Sequence, residues 1–192
     1  MNKTCTLIVV MLCCFSVNAQ VRDVQRFEGG VHIGLTVPVG SYNDGKTVIG
    51  AGTGLELRYN IPSSSWDCGV LINATTAVRR FSWVDTWTNI LYNDIEQSNR
   101  SVNFALVGDY NFGQGKKVNP YAGLGVGITD YAALNDVLYD VSGSGFVVLP
   151  RVGVELFHHV RIGLTSMFHR KGFNNCEFSI GVVIGGRPKK AK

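Results

Sequence analysis

Four histidines, a scatter of hydroxyls, and a set of carboxylates and arginines are the groups in this 192-residue chain that could do chemistry. Acid–base or nucleophilic work needs a hydroxyl or water, a base and an orienting acid within reach of one another. His169 lies three residues after Ser166, an offset that sends the two side chains to opposite faces of a strand. His158 and His159 are adjacent and diverge for the same reason, and no spacing fixes a hydroxyl beside His32. No two histidines share a strand face at ligand spacing. Catalytic, cofactor and metal sites are therefore not expected, and the chain reads as a non-enzyme.

The elements that must position the charged groups are strands. From Phe27 onward apolar residues recur at every second position, the signature of strands with one apolar face. Val31, Ile33, Leu35 and Val37 open the series; Leu55 and Leu57, Val70 and Ile72, Phe104 and Leu106 continue it. Leu124 and Val126, Val152 and Val154, Ile162 and Leu164, and Ile180 and Val182 complete eight strands. The opposite face is mostly Gly, Ser, Thr and Asn, with Glu56, Arg58, Asp109, Arg151, Glu155, Arg161 and Glu177 among them. Arg79 shares their parity. A bulky aliphatic face and a small, polar face with sparse charge suit a barrel that turns the first toward lipid and the second inward. The enclosed charges must then pair, because an unpaired buried ion costs several kcal/mol. An ion-pair network that plugs the lumen is expected; partner exchange within it would make a small gated path. An eight-stranded interior is only wide enough for side chains, so a general pore is not expected. Gly50, Gly52 and Gly54, like Gly123, Gly125 and Gly127, sit at period two inside strands and open no helix, which excludes a phosphate loop.

Composition agrees with one exported domain. Met1-Asn2-Lys3, an apolar run from Leu7 to Phe15 and Val17-Asn18-Ala19 have the layout of a secretory signal, so residues 1–19 are expected to be removed and 20–192 to form the domain. Of 18 basic residues five lie at the extremes (Lys3, Arg187, Lys189, Lys190 and Lys192), leaving 13 in the body against 14 acidic ones. No basic stripe remains to bind nucleic acid. Cys68 and Cys176 open strands that are not neighbours, from opposite barrel ends, so both are expected as free thiols.

Connections alternate short and long: Asn60–Ser65, Gly113–Lys117 and His158-His159 on one side, Ser82–Asn99 and Asp130–Ser144 on the other. Asp109-Tyr110-Asn111-Phe112-Gly113, a Lys-bearing turn, and Asn119-Pro120-Tyr121-Ala122-Gly123-Leu124-Gly125-Val126-Gly127 resemble the small OmpA/OmpX-type outer-membrane β-barrel family. The resemblance covers roughly Phe27–Gly186. It implies an all-β, eight-stranded antiparallel up-and-down transmembrane barrel in a Gram-negative outer membrane. Barrel-assembly machinery and outer-membrane lipid are the expected partners, and a monomer with periplasmic termini is expected. Family members usually finish on an aromatic residue, whereas here the last strand runs into Ile184-Gly185-Gly186-Arg187 and a basic tail, 187–192. Variable function would sit in the long loops, where Trp83, Trp87, Tyr92, Tyr131 and Tyr139 form the expected contact surface for an extracellular ligand or host surface. The rival readings are a weakly conducting gated channel, a secreted lipocalin-like barrel with an apolar ligand, and a lipid-modifying enzyme.

Overall fold

The computed structural model describes residues 24–39, 46–135, 141–169 and 173–188. The expected signal segment, the basic tail beyond 188 and Tyr139 lie outside the described residues. Eight strands follow one another: β1 Phe27–Pro38, β2 Lys46–Asn60, β3 Trp66–Val84, β4 Leu91–Asn111, β5 Val118–Asn135, β6 Val141–Leu156, β7 Val160–Met167 and β8 Asn175–Gly185. Each pairs antiparallel with the next, and β8 returns to β1 (Val31 opposite Val182) to close the barrel. Closure removes the sheet edges that an open sheet of this apolarity would offer to other chains.

Alternation decides inside from outside. Val31, Ile33, Leu35, Leu55, Ile72, Phe104, Leu106, Leu124, Val126, Val152 and Val182 all point outward and are exposed. Thr36, Asn73, Thr75, Asn103, Asp109, Thr129 and Glu177 point inward and are buried. That is the reverse of a water-soluble barrel, and it is the arrangement of a transmembrane one. Aromatic pairs ring the end where the chain enters and leaves: Phe27 with Tyr59 and Trp66 with Tyr110, centroids 5.3 and 5.2 Å apart.

The barrel is lopsided. β3 and β4 have 19 and 21 residues, whereas about 9–11 suffice to cross a bilayer. At the end remote from the termini they continue together past the aliphatic belt to a turn over 85–90. β5 and β6 likewise run on to Asn135 and from Val141. The segments Ser82–Asn99 and Asp130–Ser144, expected as long loops, are therefore mostly strand. The physical reason is that the ladder outlasts the apolar pattern: above the belt the outward residues become Arg80, Ser82, Glu96, Ser98 and Arg100 while backbone pairing goes on. β7 is only eight residues long, so the β3–β6 wall stands taller than the β7–β8–β1 side.

Candidate functional site

Parity brings the charged residues of six strands to the terminus-side half of the lumen. Arg58 is the hub. Its guanidinium lies 2.7 Å from Glu28 and 3.5 Å from each of Glu56, Asp67 and Glu155. Arg151 donates to both oxygens of Glu56, at 2.8 and 2.9 Å, and lies 3.2 Å from Asp109. Arg161 pairs with Asp109 as well, and its guanidinium stacks 3.6 Å over the Tyr121 ring. Five carboxylates thus face three guanidiniums. Amides take up part of the surplus: Asn60 donates to Glu28 at 2.7 Å and Asn111 to Asp67 at 2.7 Å. Asn119 donates to Asn111 and Gln114 to Asn60, which caps the lumen at the terminus end.

One level further in, the cross-section divides. The β3–β7 side supplies Leu71, Ala105, Val107, Val147, Leu149 and Met167, all buried and in one cluster. The β1, β2 and β8 side supplies His32 and Glu177. Asn73 donates to Glu177 Oε2 at 2.9 Å, and His32 Nε2 lies 3.5 Å from Glu177 Oε1. Glycine makes this room, because a Cβ at Gly34 or Gly52 would collide with the Glu177 carboxylate and one at Gly54 with the His32 ring. Between this pair and the arginines lies a cavity of about 30 Å³, lined by His32, Glu56, Tyr121, Arg161 and Glu177. It is large enough for a water molecule and little more. Toward the far end a further hydrogen-bonded run joins Asn175, Thr75 and Ser101.

Glu56, Arg58, Asp109, Arg151, Glu155 and Arg161 thus meet in one cluster. Glu177, expected with them, is held apart with His32 and Asn73. Arg79 is buried on the same face toward the far end, in the layer where Arg79 and Gln97 are paired in register. Glu28 and Asp67 also carry the inward parity but were missed in the sequence, because each is only the second residue of its strand, where the chain also reads as the end of a turn. The apolar cluster was missed too, since inward Leu and Val look like interruptions of a polar face.

The expected loop surface needs correction. Trp83 and Tyr92 lie within β3 and β4 and stack at 5.9 Å. Tyr131 lies in β5, points inward, is buried and packs on Phe173. Tyr121 is also inside. Both tyrosines sit at inward-parity positions of β5, so alternation along that one strand turns them into the lumen. Among the described residues of the expected loop surface, only Trp87 stands free, 96% exposed in the 85–90 turn. Of the histidines, His159 lies against Val183 O and Arg187, and the Ser166 hydroxyl donates to Cys176 Sγ. Cys68 and Cys176 are free thiols.

No family model matches the chain, and no curated protein matches it. Solved structures do. Ail, the attachment invasion locus protein of Yersinia pestis, in complex with the heparin analogue sucrose octasulfate, is 15% identical over 83% of this chain and 99% of its own, with a TM-score of 0.44. The N-terminal β-barrel domain of Pseudomonas aeruginosa OprF is 11% identical over 84% and 98%, at 0.49. The outer membrane enzyme PagL is 14% identical over 82% and 98%, at 0.45. At these identities the likeness is one of fold and reaches no residue of the lumen or the hairpin tips. The eight-stranded barrel itself rests on the chain's own strand ladder.

Proposed function

We propose that this protein is a non-catalytic barrel of the Gram-negative outer membrane that acts through the surface at its tall end, with both termini in the periplasm. The observation that carries the reading is the β3–β4 hairpin, which continues beyond the aliphatic belt and ends on an exposed apolar tip. Trp87 stands there among exposed Val84, Ile90 and Leu91. The tip is built, not frayed: Asp85 accepts the Thr88 hydroxyl at 2.6 Å and the Trp87 amide at 3.0 Å. Those two bonds, the hydroxyl first, hold the Asp85 carboxyl below its ordinary pKa. A lumen filled by paired charges on one side and an apolar cluster on the other supports a surface role over a steadily open channel.

Two measurements test this. The protein is expected in the outer-membrane fraction, with a band in SDS gels that shifts when the sample is boiled. A soluble protein whose mobility ignores heating would overturn the membrane reading and make the aliphatic face the core of a secreted carrier. Trp87→Ala is expected to leave unfolding within about 0.5 kcal/mol of the parent, as exposed positions usually do. The same variant should abolish most adhesion of cells displaying the protein to immobilised host-matrix protein. Unchanged adhesion sinks the hairpin as the contact surface.

A further inference from the structure

The lumen network draws the carboxylates of the terminus end inward and leaves the rim cationic. Glu28, Glu56, Asp67, Asp109 and Glu155 are all engaged by its arginines. The charged side chains left exposed at that end, among the described residues, are Arg26, Lys116, Lys117 and Arg187, all positive. Lys117 and Arg187 meet no carboxylate among the described residues. They bound one arc of the rim, from the start of β5 to the end of β8, which backbone bonds hold together. Phe157 N donates to Lys117 O at 2.6 Å, and Val183 N donates to His159 O at 2.7 Å. A guanidinium only donates, so His159 Nε2 accepts from Arg187 at 2.8 Å, and Nδ1–H meets Val183 O at 3.2 Å. That contact seats the Arg187 guanidinium on the arc.

Apolar side chains lie beside these cations: Val118, Phe157 and Ile184 are exposed, the last by 77%. Phe157 and His158 are the central pair of the β6–β7 turn, at φ of 54° and 61°. Such turns favour Asn-Gly or Gly, and a bulky side chain at positive φ is strained. The turn carries that strain and presents an exposed aromatic ring next to Lys117. Cations without a carboxylate partner, at the edge of exposed aromatic and aliphatic groups, complement an anionic amphiphile. We infer that this arc binds anionic phospholipid of the leaflet on the terminus side, with headgroup phosphates on Lys117 and Arg187 and acyl chains over Val118, Phe157 and Ile184. A zwitterionic phospholipid offers the same phosphate but brings its own cation, which the two bare cations repel. An acidic polymer beyond the membrane would meet the charges and leave the apolar groups beside them unused.

The inference rests on the membrane reading. It is tested with the refolded full-length protein in detergent, by counting phosphatidylglycerol and phosphatidylcholine retained in native mass spectrometry. Retention of phosphatidylglycerol about tenfold above phosphatidylcholine is expected, the size that one or two basic residues supply at a lipid surface. Lys117→Gln combined with Arg187→Gln should remove most of that preference, and Arg80→Gln combined with Arg100→Gln, at the far end, should leave it unchanged. Equal retention of the two lipids by the parent protein overturns the inference. So does a parent-like preference in the Lys117→Gln, Arg187→Gln variant. Binding of the parent to purified cell-wall sacculi, lost in that variant and accompanied by no lipid preference, overturns it in favour of an acidic polymer. The heat shift in SDS, read on the same samples, tells loss of the site from loss of the barrel: a heat-modifiable protein without lipid preference refutes the arc and leaves the membrane reading standing.

Discussion

Arg58→Met is expected to cost the barrel about 3–5 kcal/mol, the range for removing one partner from a buried ion pair. The position is the most consequential in the lumen because four carboxylates converge on it, with Glu28 the nearest at 2.7 Å. Methionine fills much of the same volume, so the loss is one of charge more than of packing. With the guanidinium gone, five carboxylates face two arginines in a space that water barely enters. The opposite change behaves differently. Glu155→Gln removes a charge from the side in surplus and keeps the side chain's shape, and Glu155 touches Arg58 only at 3.5 Å, so its cost is expected to fall well below that of Arg58→Met. Equilibrium unfolding in urea from detergent or lipid, measured on both variants, decides the matter. Equal costs for the two variants would mean that the cluster is screened by water and is not the lock the geometry describes.

What could be read in the sequence follows from where a single period governs. Inside the belt, period two carries both the lipid-facing and the lumen-facing set, so strand number, antiparallel order and the meeting of Glu56, Arg58, Asp109, Arg151, Glu155 and Arg161 were all legible. Above the belt the outward residues are polar on the same ladder, as at Arg80, Glu96 and Arg100, and the period fades although the strands do not. That is why the hairpin extensions read as loops and why Tyr131 was placed on the surface. Glu177 was legible as an inward residue, but not its separation from the arginines. That depends on the positions of three glycines, Gly34, Gly52 and Gly54, on neighbouring strands, and on Asn73 across the lumen. Spacing within one strand carries no information about which level of the barrel a neighbour's gap will reach.

Leu149→Ala, set beside Leu124→Ala, tests which face of the sheet packs against protein. Leu149 is 0% exposed, points inward from β6 and belongs to the apolar cluster with Val107, Val147 and Met167. Its truncation leaves a void that the rigid wall cannot close, and the expected cost is about 2–5 kcal/mol. Leu124, one ladder step away on β5, points outward and is exposed. In a bilayer an acyl chain follows the shortened side chain and fills the gap, so Leu124→Ala is expected to cost well under half as much. Unfolding of both variants from lipid vesicles reads the difference directly. In a soluble carrier with the aliphatic face as its core, the order would invert, with Leu124→Ala the damaging change and Leu149→Ala the mild one. The cluster's second consequence follows from its place between the arginines and the far end. Leu149→Ala opens space beside a polar column that already holds room for one water. Leakage of small ions through the variant, absent from the parent, is therefore the expected companion of its lost stability. A variant that loses stability and stays ion-tight would show that the charged cluster alone closes the lumen.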